Sequence, residues 1–394
     1  EVFGEAVRCR LRTIGDPAAM LSGGLDSAGM AAMIKRLLST GSGGNLHTYS
    51  AISDHVASCV ESQCIQSLTE NLETLANYVA VPSLTGMVNQ ADLETLALSK
   101  THPVDNSILL VGLMCLAASR DEHRVLMHGV SGDVAMHVPT YYPAYLFNQG
   151  EWSQGWNECQ KASLNNTNLH GKSQWEILIR SFWAAFAPPS AKSATRNIRK
   201  IIYKNSLVDS MINLDFAKRI GLEERLQTLR TKTSHSILQR LGENHVQTLF
   251  PKGIVVGLEG YERVAGRFGV ELRDPWADKR VLEFFVRLPL HYKIKNGWTK
   301  YLVRSAFARD LSSSVRWRLG KEHVGWNFCQ KLLNETKAFA PQFTKNKLGP
   351  LTEYIDQSVV LAHMDDFFKG KRDQYAESCF WIATLALWLH RLDN

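Results

Sequence analysis

Ser22-Gly23-Gly24-Leu25-Asp26-Ser27 is the stretch that decides the fold of this chain. A short apolar run at residues 18–21 precedes it, and an apolar pattern at helical spacing, residues 30–38, follows it. The stretch therefore predicts a glycine-rich loop between a β-strand and an α-helix. Two glycines let the backbone approach an anion closely, and the N-terminal end of the helix adds a positive partial charge. The hydroxyl groups of Ser22 and Ser27 complete a predicted phosphate-binding loop.

Asp26 gives this loop a property that a simple phosphate site lacks. A carboxylate repels phosphate unless a divalent cation lies between the two groups, so Asp26 predicts Mg²⁺. No lysine follows the second glycine, which excludes a Walker A loop, and the glycine spacing differs from the GxGxxG of dinucleotide-binding folds. A β-to-α turn without a ligand is the alternative, and the Asp-Ser pair that completes the loop disfavours it.

Further strands and helices alternate along the N-terminal part of the chain. Residues 46–52 have the composition of a second strand, and residues 125–127 form a third apolar run that ends in a glycine-containing loop at residues 128–133. This alternation predicts an α/β fold with a parallel sheet covered by helices. Ligands of such sheets bind in loops at the carboxyl ends of the strands. Both glycine loops lie at such ends.

Composition limits the class of protein. The chain has 394 residues, 45% of them hydrophobic and 21% charged, which is typical of a globular protein of about two to three domains. The formal net charge of +7 suits an anionic partner. No apolar run reaches the roughly 18 residues that a membrane span requires. Seven scattered cysteines without a CxxC pair predict neither a disulfide framework nor a zinc site, so we expect a reducing, cytoplasmic location.

The SGGxDS loop resembles that of the ATP pyrophosphatases, in which it holds the pyrophosphate of ATP while the α-phosphate is attacked. The resemblance implies an ATP pyrophosphatase (adenine nucleotide α-hydrolase-like) domain, with ATP and Mg²⁺ as cofactors and AMP and pyrophosphate as products. It also implies that the second strand contacts adenine largely through backbone groups, at Ser50 and Ala51.

Later segments resemble the synthetase domain of asparagine synthetases. His128-Gly129-Val130-Ser131-Gly132-Asp133 is similar to the family's second loop, and Asp133 falls on the Asp that binds Mg²⁺. Residues 271–278 (ELRDPWAD) resemble the family's ExRxPFxD stretch. The metal ligands implied are Asp26 and Asp133, and the implied nucleotide-binding residues are Leu21, Ser22, Gly23, Gly24, Leu25, Asp26, Ser27, Ser50, Ala51, Gly129 and Gly132.

Two further segments resemble the lysine-bearing segments of the same family. They are residues 298–304 (WTKYLVR) and residues 317–321 (WRLGK). The resemblance implies that Lys300 and Lys321 are catalytic, because they supply positive charge to pyrophosphate and to the reaction centre. Without the resemblance, Lys300 would be interpreted as a solvated lysine on an exposed helix face.

The resemblance also predicts how the chain is organised. We expect residues 1–150 to form the α/β core, residues 151–250 a mainly helical elaboration with a candidate peptide-binding region, and residues 251–394 the remainder of the synthetase domain with a C-terminal helix. The first residue is Glu and not Met, so the chain is interpreted as a possible part of a longer protein. The glutamine-hydrolysing domain that precedes this region in asparagine synthetases is absent from the sequence, so ammonia from glutamine has no evident source.

Val130 separates the chain from two known branches of the family. Asparagine synthetases have Glu at this position and β-lactam synthetases have Tyr, whereas valine cannot take a proton. Residues 260–271, the Gly-Val-x-Gly-Asp loop and residues 315–328 resemble the lasso peptide cyclases most. Those enzymes adenylate an Asp or Glu side chain of a ribosomally made precursor peptide, and the N-terminal amine of the peptide closes a macrolactam ring.

This closest resemblance implies a leader-binding protein and a leader peptidase as partners. Asparagine synthetase-like or β-lactam-forming chemistry is the alternative within the same class. An RNA-modifying ATP pyrophosphatase is a more remote one, which we disfavour because no CxxC pair or basic and aromatic RNA-binding patch is present. We therefore expect no nucleic-acid partner.

Overall fold

The architecture was obtained as a computed structural model. It describes residues 1–79, 109–192, 211–232, 252–319 and 351–369, apart from residues 42, 54, 140, 167 and 189, together with residues 348, 382, 385, 386, 388 and 389. The chain divides into two compact units, each described by itself below. The first consists of residues 1–87, 110–186 and 237–328, and the second of residues 88–109, 187–236 and 329–394. The division predicted from the sequence, into residues 1–150, 151–250 and 251–394, stays a prediction.

The first unit is built on a five-stranded sheet. Its strands are β1 (Ala18–Met20), β2 (His47–Ala51), β3 (Leu75–Val79), β4 (Val125–Met127) and β5 (Glu271–Arg273). Their order is β3-β2-β1-β4-β5, and every neighbouring pair is parallel. The predicted α/β class is therefore confirmed. The chain runs outward from β1 to β3 on one side and from β4 to β5 on the other, so the order reverses between β1 and β4, where ligands bind in sheets of this type.

Helices precede, connect and follow these strands. In chain order they are α1 (Val2–Arg10), α2 (Leu25–Thr40), α3 (Val60–Asn71), α4 (Leu109–Arg120), α5 (Gly132–Ala135), α6 (Tyr142–Asn148), α7 (Trp152–Asn165), α8 (Gln174–Phe186), α9 (Leu214–Arg219), α10 (Leu222–Lys232), α11 (Lys252–Arg267), α12 (Lys279–Arg287), α13 (Leu290–Lys293), α14 (Tyr301–Ala306), α15 (Ser313–Arg316) and α16 (Gln357–Phe368). A short antiparallel hairpin, β6 (Ile294–Lys295) and β7 (Trp298–Thr299), lies between α13 and α14. Among the described residues, no helix has the length and hydropathy of a membrane span.

Small buried side chains let α2 pack into the core of the first unit. Ala28, Ala31 and Ala32 are fully buried, together with Met30 and Ile34 on the same helix. Alanine side chains let a helix backbone approach its neighbours closely, and they carry the highest intrinsic helix propensity. The helix is thereby fixed with its N-terminus at the carboxyl end of β1, where the glycine-rich loop lies.

Asp278 fixes the start of α12 and ties that helix to α1. One oxygen of its carboxylate accepts the backbone N–H of Arg280 at 2.9 Å, and the other accepts Nη1 of Arg10 at 2.7 Å. The guanidinium of Arg280 also bonds the carboxylate, at 2.8 Å. The side-chain bond from Arg280, with a further one from Arg10, holds the pKa of Asp278 well below its usual range.

We expect Asp278→Ala to lower the free energy of unfolding by about 2 kcal/mol near pH 7, because it removes a helix cap and leaves Arg10 without its carboxylate. The pKa of Asp278 is lower in the folded than in the unfolded chain. Its stabilisation is therefore complete above the usual carboxyl pKa of 3.8 and is lost as the pH falls through the folded value. Urea unfolding at several pH values should show the difference between variant and wild type shrinking in acid.

Glu283→Ala is the matched control, because Glu283 lies on the same helix with a half-exposed side chain in a surface ion pair. This variant should change the free energy of unfolding by less than about 0.5 kcal/mol. A difference for Asp278→Ala that stays constant as the pH is lowered would contradict the proposed carboxylate contribution.

The second unit has a small helical core of its own. Leu348, Leu351, Ile355, Val360 and Met364 are buried within it. Asn213 caps α9 by accepting the backbone N–H groups of residues 215 and 216, and residues 212 and 355 form an antiparallel bridge. Most of the predicted C-terminal helix lies outside the described residues.

Candidate active site

The first loop (residues 21–27) is closed by the hydroxyl group of Ser27. This hydroxyl accepts the backbone N–H of Ser22 at 3.2 Å and donates to the carbonyl of Gly24 at 3.1 Å. Gly23 has φ +68°, and a Cβ there would lie 2.8 Å from the carbonyl oxygen of Glu61. Only glycine fits this turn without strain. Because α2 begins at Leu25, the backbone N–H groups of its first turn lie at the loop, where the positive end of the helix favours an anion.

The second loop (residues 128–133) follows β4 and packs directly on the first. A Cβ on Gly129 would lie 3.0 Å from the backbone nitrogen of Ser27, and a Cβ on Gly132 would lie 2.4 Å from Cγ of Asp26. A side chain at Gly132 would force Asp26 to move, and one at Gly129 would be tightly crowded by the backbone of the first loop. The absence of a Cβ at these two glycines brings Asp26, at the start of α2, close to Asp133, in the first turn of α5.

Lys300 joins the two carboxylates. Its Nζ lies 2.6 Å and 2.5 Å from the two oxygens of Asp26, and 2.6 Å from Oδ1 of Asp133. Only 16% of its side-chain surface is exposed, so the interpretation of Lys300 as a solvated lysine is wrong. Burial disfavours its charge, but the two carboxylates outweigh burial and leave the pKa of Lys300 raised. The lysine is therefore a cation at neutral pH, and Asp26 and Asp133 share one site.

One segment, residues 274–276, holds both loops in place. The Asp274 carboxylate accepts the backbone N–H of Ser131 at 2.8 Å and that of Trp276 at 2.9 Å. The indole N–H of Trp276 donates to the backbone carbonyl of Asp26 at 3.1 Å, and its buried ring stacks on Phe3 with centroids 3.9 Å apart. This segment begins immediately after β5, so the strand next to β4 fixes the relative position of the two loops.

Two arginines add positive charge around the first loop. Arg318 donates to the carbonyl of Gly23 at 3.2 Å. Arg304 is buried, donates to the carbonyl of Thr299 at 2.8 Å and lies over the ring of Trp298 at 4.7 Å. Burial lowers the pKa of Arg304 to about 10, which leaves it charged at neutral pH. Sequence reasoning missed both side chains as contributors to the site.

These groups surround a cavity of about 600 Å³ at the point where the strand order reverses. This volume is within the usual range of small-molecule sites. Its polar wall includes the first loop and Lys300, and its apolar wall includes Met114, Met136 and Val130. Of the predicted site residues, those that line it are Leu21, Ser22, Gly23, Gly24, Leu25, Asp26, Ser27, Ala51, Gly129, Asp133 and Lys300.

Two of the predicted site residues do not line the cavity. Gly132 lies against Asp26 and is not part of the cavity wall. Ser50 is buried and does not line the cavity, because side chains alternate along a strand and its neighbours Tyr49 and Ala51 face the cavity. Lys321 lies outside the described residues, so its catalytic role stays a prediction.

The parallel sheet, its strand order and the loop-lined cavity at the reversal point are those of an ATP pyrophosphatase-type α/β fold. The chain belongs to the asparagine synthase family, because the model of that family matches residues 1–390. No curated protein sequence gives a significant match. Enzymes of this family use ATP, and membership indicates ATP-dependent amide bond formation by a ligase.

Proposed function

We propose that this enzyme adenylates an Asp or Glu side chain of a precursor peptide and joins it to the peptide's own N-terminal amine, which produces a macrolactam. The observation that supports the adenylation step is the convergence of Asp26, Asp133 and Lys300 beside the first loop. The observation that favours a peptide amine is Val130, which lies in the cavity wall and cannot act as a base.

The first step is electrostatically difficult, because an anionic carboxylate must approach the α-phosphate of a highly charged nucleotide. We expect the first loop and the N-terminus of α2 to hold the pyrophosphate end of ATP. Lys300 and Arg318 both line the cavity and contact the first loop, and they can neutralise charge as it accumulates on departing pyrophosphate. Lys321 is proposed to act with them.

The chemistry of the site also fits Mg²⁺. Proteins bind this ion through one or two carboxylates, with phosphate oxygens and water completing the shell, and Asp26 and Asp133 offer that donor set. When bound, Mg²⁺ would supply charge neutralisation to the phosphates of ATP. Lys300 balances the charge of the two carboxylates, which would otherwise repel each other.

The proposed reaction has two steps. A carboxylate oxygen bonds to the α-phosphorus as the bond to pyrophosphate breaks, which yields the acyl-adenylate. The unprotonated amine then bonds to the acyl carbon, AMP leaves with the former carboxylate oxygen, and the amine proton passes to solvent. A peptide α-amine has a pKa of about 7.7–8.0, so roughly a tenth of it is already unprotonated at neutral pH and a dedicated base is dispensable. Folding of the peptide can supply the remaining rate through proximity.

Mass spectrometry tests this proposal with ATP, Mg²⁺ and a leader-free precursor peptide, which a short open reading frame beside the gene would supply. We expect the peptide to lose one water while AMP and pyrophosphate accumulate. The N-acetylated peptide is the matched control: it should be adenylated and should release pyrophosphate without ring closure. Conversion of aspartate and ammonia into asparagine, with the peptide left unchanged, would refute the proposal in favour of asparagine synthesis. We also propose that a leader-binding protein and a leader peptidase act before this enzyme.

A further inference from the structure

Lys300 follows a hairpin whose turn has an unusual backbone. The turn residues between β6 and β7, Asn296 and Gly297, have φ +52° and +78°, and Lys300 itself has φ +56°. Non-glycine residues rarely adopt this left-handed conformation, and it persists only where the surrounding structure supports it. The position of the Lys300 amine therefore depends on whatever holds this turn.

Glu158 of α7 holds it. One carboxylate oxygen accepts the backbone N–H of Asn296 at 2.7 Å, and the other accepts that of Gly297 at 2.8 Å. Glu158 is only 8% exposed. Asn165, two turns further along the same helix, donates to the carbonyl of Asn296 at 2.9 Å. A Cβ on Gly297 would lie 2.3 Å from the carbonyl oxygen of Lys161, so the turn lies directly on the helix backbone.

A buried carboxylate is a costly way to make this contact. Burial raises the pKa of Glu158, although the N–H groups of Gly297 and Asn296 partly oppose that effect. Glutamine has nearly the same shape, but its amide nitrogen cannot accept a hydrogen bond and would face one of the two N–H groups. The two acceptor oxygens of glutamate therefore match this turn in a way that an uncharged side chain does not.

The segment from the turn to Lys300 is short and well anchored. Only Trp298 and Thr299 separate them, and Arg304 contacts both: it donates to the carbonyl of Thr299 at 2.8 Å and lies over the ring of Trp298 at 4.7 Å. A displacement of the turn should therefore also displace Lys300, because the two residues between them are held in place.

We infer that Glu158 is a positioning residue, which holds the Asn296–Gly297 turn so that the amine of Lys300 meets Asp26 and Asp133. The inference rests on one part of the proposed function, namely that Lys300 acts at the phosphates of ATP. It does not depend on which acid is adenylated or on which amine attacks.

The test is a double-mutant cycle between Glu158→Gln and Lys300→Gln, measured as pyrophosphate release with whichever acid the wild type accepts, the peptide or aspartate with ammonia. In the wild-type background, Glu158→Gln should lower kcat about tenfold and change the KM for ATP less than about twofold, because a small displacement of a catalytic group reduces rate more than binding. In the Lys300→Gln background, adding Glu158→Gln should lower kcat by less than about twofold, since the amine that Glu158 positions is already gone.

Controls distinguish positioning from a general structural role. Glu151→Gln removes an exposed carboxylate next to the start of the same helix and should leave kcat within about twofold. If Glu158→Gln fails to fold, Asn165→Ala replaces it in the test. This variant removes the other side-chain hydrogen bond to the turn and leaves the buried Glu158 carboxylate paired, so it should also lower kcat, by a smaller factor. Equal losses from Glu158→Gln in both backgrounds would overturn the inference, as would a loss confined to KM.

If the wild type releases pyrophosphate with neither acid, the proposed function fails and the inference is judged by binding. Calorimetric titration with inorganic pyrophosphate and Mg²⁺ should then show binding weakened about threefold by Glu158→Gln in the wild-type background, with no further weakening beside Lys300→Gln. Unchanged affinity in the wild-type background would overturn the inference.

Discussion

Replacement of Lys300 with glutamine should lower the rate of pyrophosphate release by about 10²-fold or more, while the affinity for ATP changes only a few-fold. The reason is that Lys300 is the cation placed between Asp26 and Asp133 beside the first loop, where the proposed mechanism develops negative charge on the departing pyrophosphate. Its effect should therefore be strongest in the transition state. Single-turnover measurement of pyrophosphate release at saturating ATP, with nucleotide binding determined separately, checks both parts of this expectation.

Lys295→Gln is the matched control for this variant. Lys295 lies on the same hairpin and is exposed, and its amine lies over the ring of Tyr301 at 5.4 Å. Loss of this charge should change the rate less than about twofold, because exposed charges at a distance are screened. If the two lysine variants lost activity equally, overall charge and not the placement of Lys300 would explain the effect.

Gly132→Ala should have the second largest effect, although it adds a single methyl group. The new Cβ would lie 2.4 Å from Cγ and 2.7 Å from Cβ of Asp26, so either the carboxylate or the second loop must move. We expect a loss of about 1–3 kcal/mol in the free energy of unfolding. Pyrophosphate release should fall by roughly 10²-fold, since Asp26 no longer meets Lys300 in its present geometry. Urea unfolding and the pyrophosphate assay measure the two effects independently.

Gly257→Ala provides the corresponding control within α11. A Cβ there meets no atom within 4 Å, and the residue does not have positive φ. Alanine should therefore stabilise the helix by up to about 1 kcal/mol and leave the rate unchanged. Wild-type activity in Gly132→Ala would show that the two loops can separate without consequence, contrary to the packing described above.

The elements with strong local signals could be predicted from the sequence. The runs at β1 and β4 are apolar, residues 46–52 have the composition of a strand, the loops after β1 and β4 are rich in glycine, and α2 has helical periodicity, so the sequence predicts these elements. β5 was missed because its three residues, Glu271, Leu272 and Arg273, include only one apolar side chain. Its identity as a strand comes from pairing with β4, which local composition does not encode.

Contacts between residues that are distant in the sequence also limit how much of the site can be predicted. Lys300 was identified by family resemblance, while its local pattern favoured a solvated residue. Trp276 and Glu158 were missed because their decisive contacts are with residues 250 and 138–139 positions away in the sequence. A single sequence does not indicate such partners unless the fold is known.

The close contact between the two loops also bears on how the chain folds. Asp26 and Gly132 are roughly a hundred residues apart, and their contact requires that β1 and β4 already lie side by side. Contacts of such long range form slowly and late. A partly folded chain therefore cannot offer ATP its complete binding surface, so nucleotide should stabilise only the finished structure and leave folding intermediates unaffected.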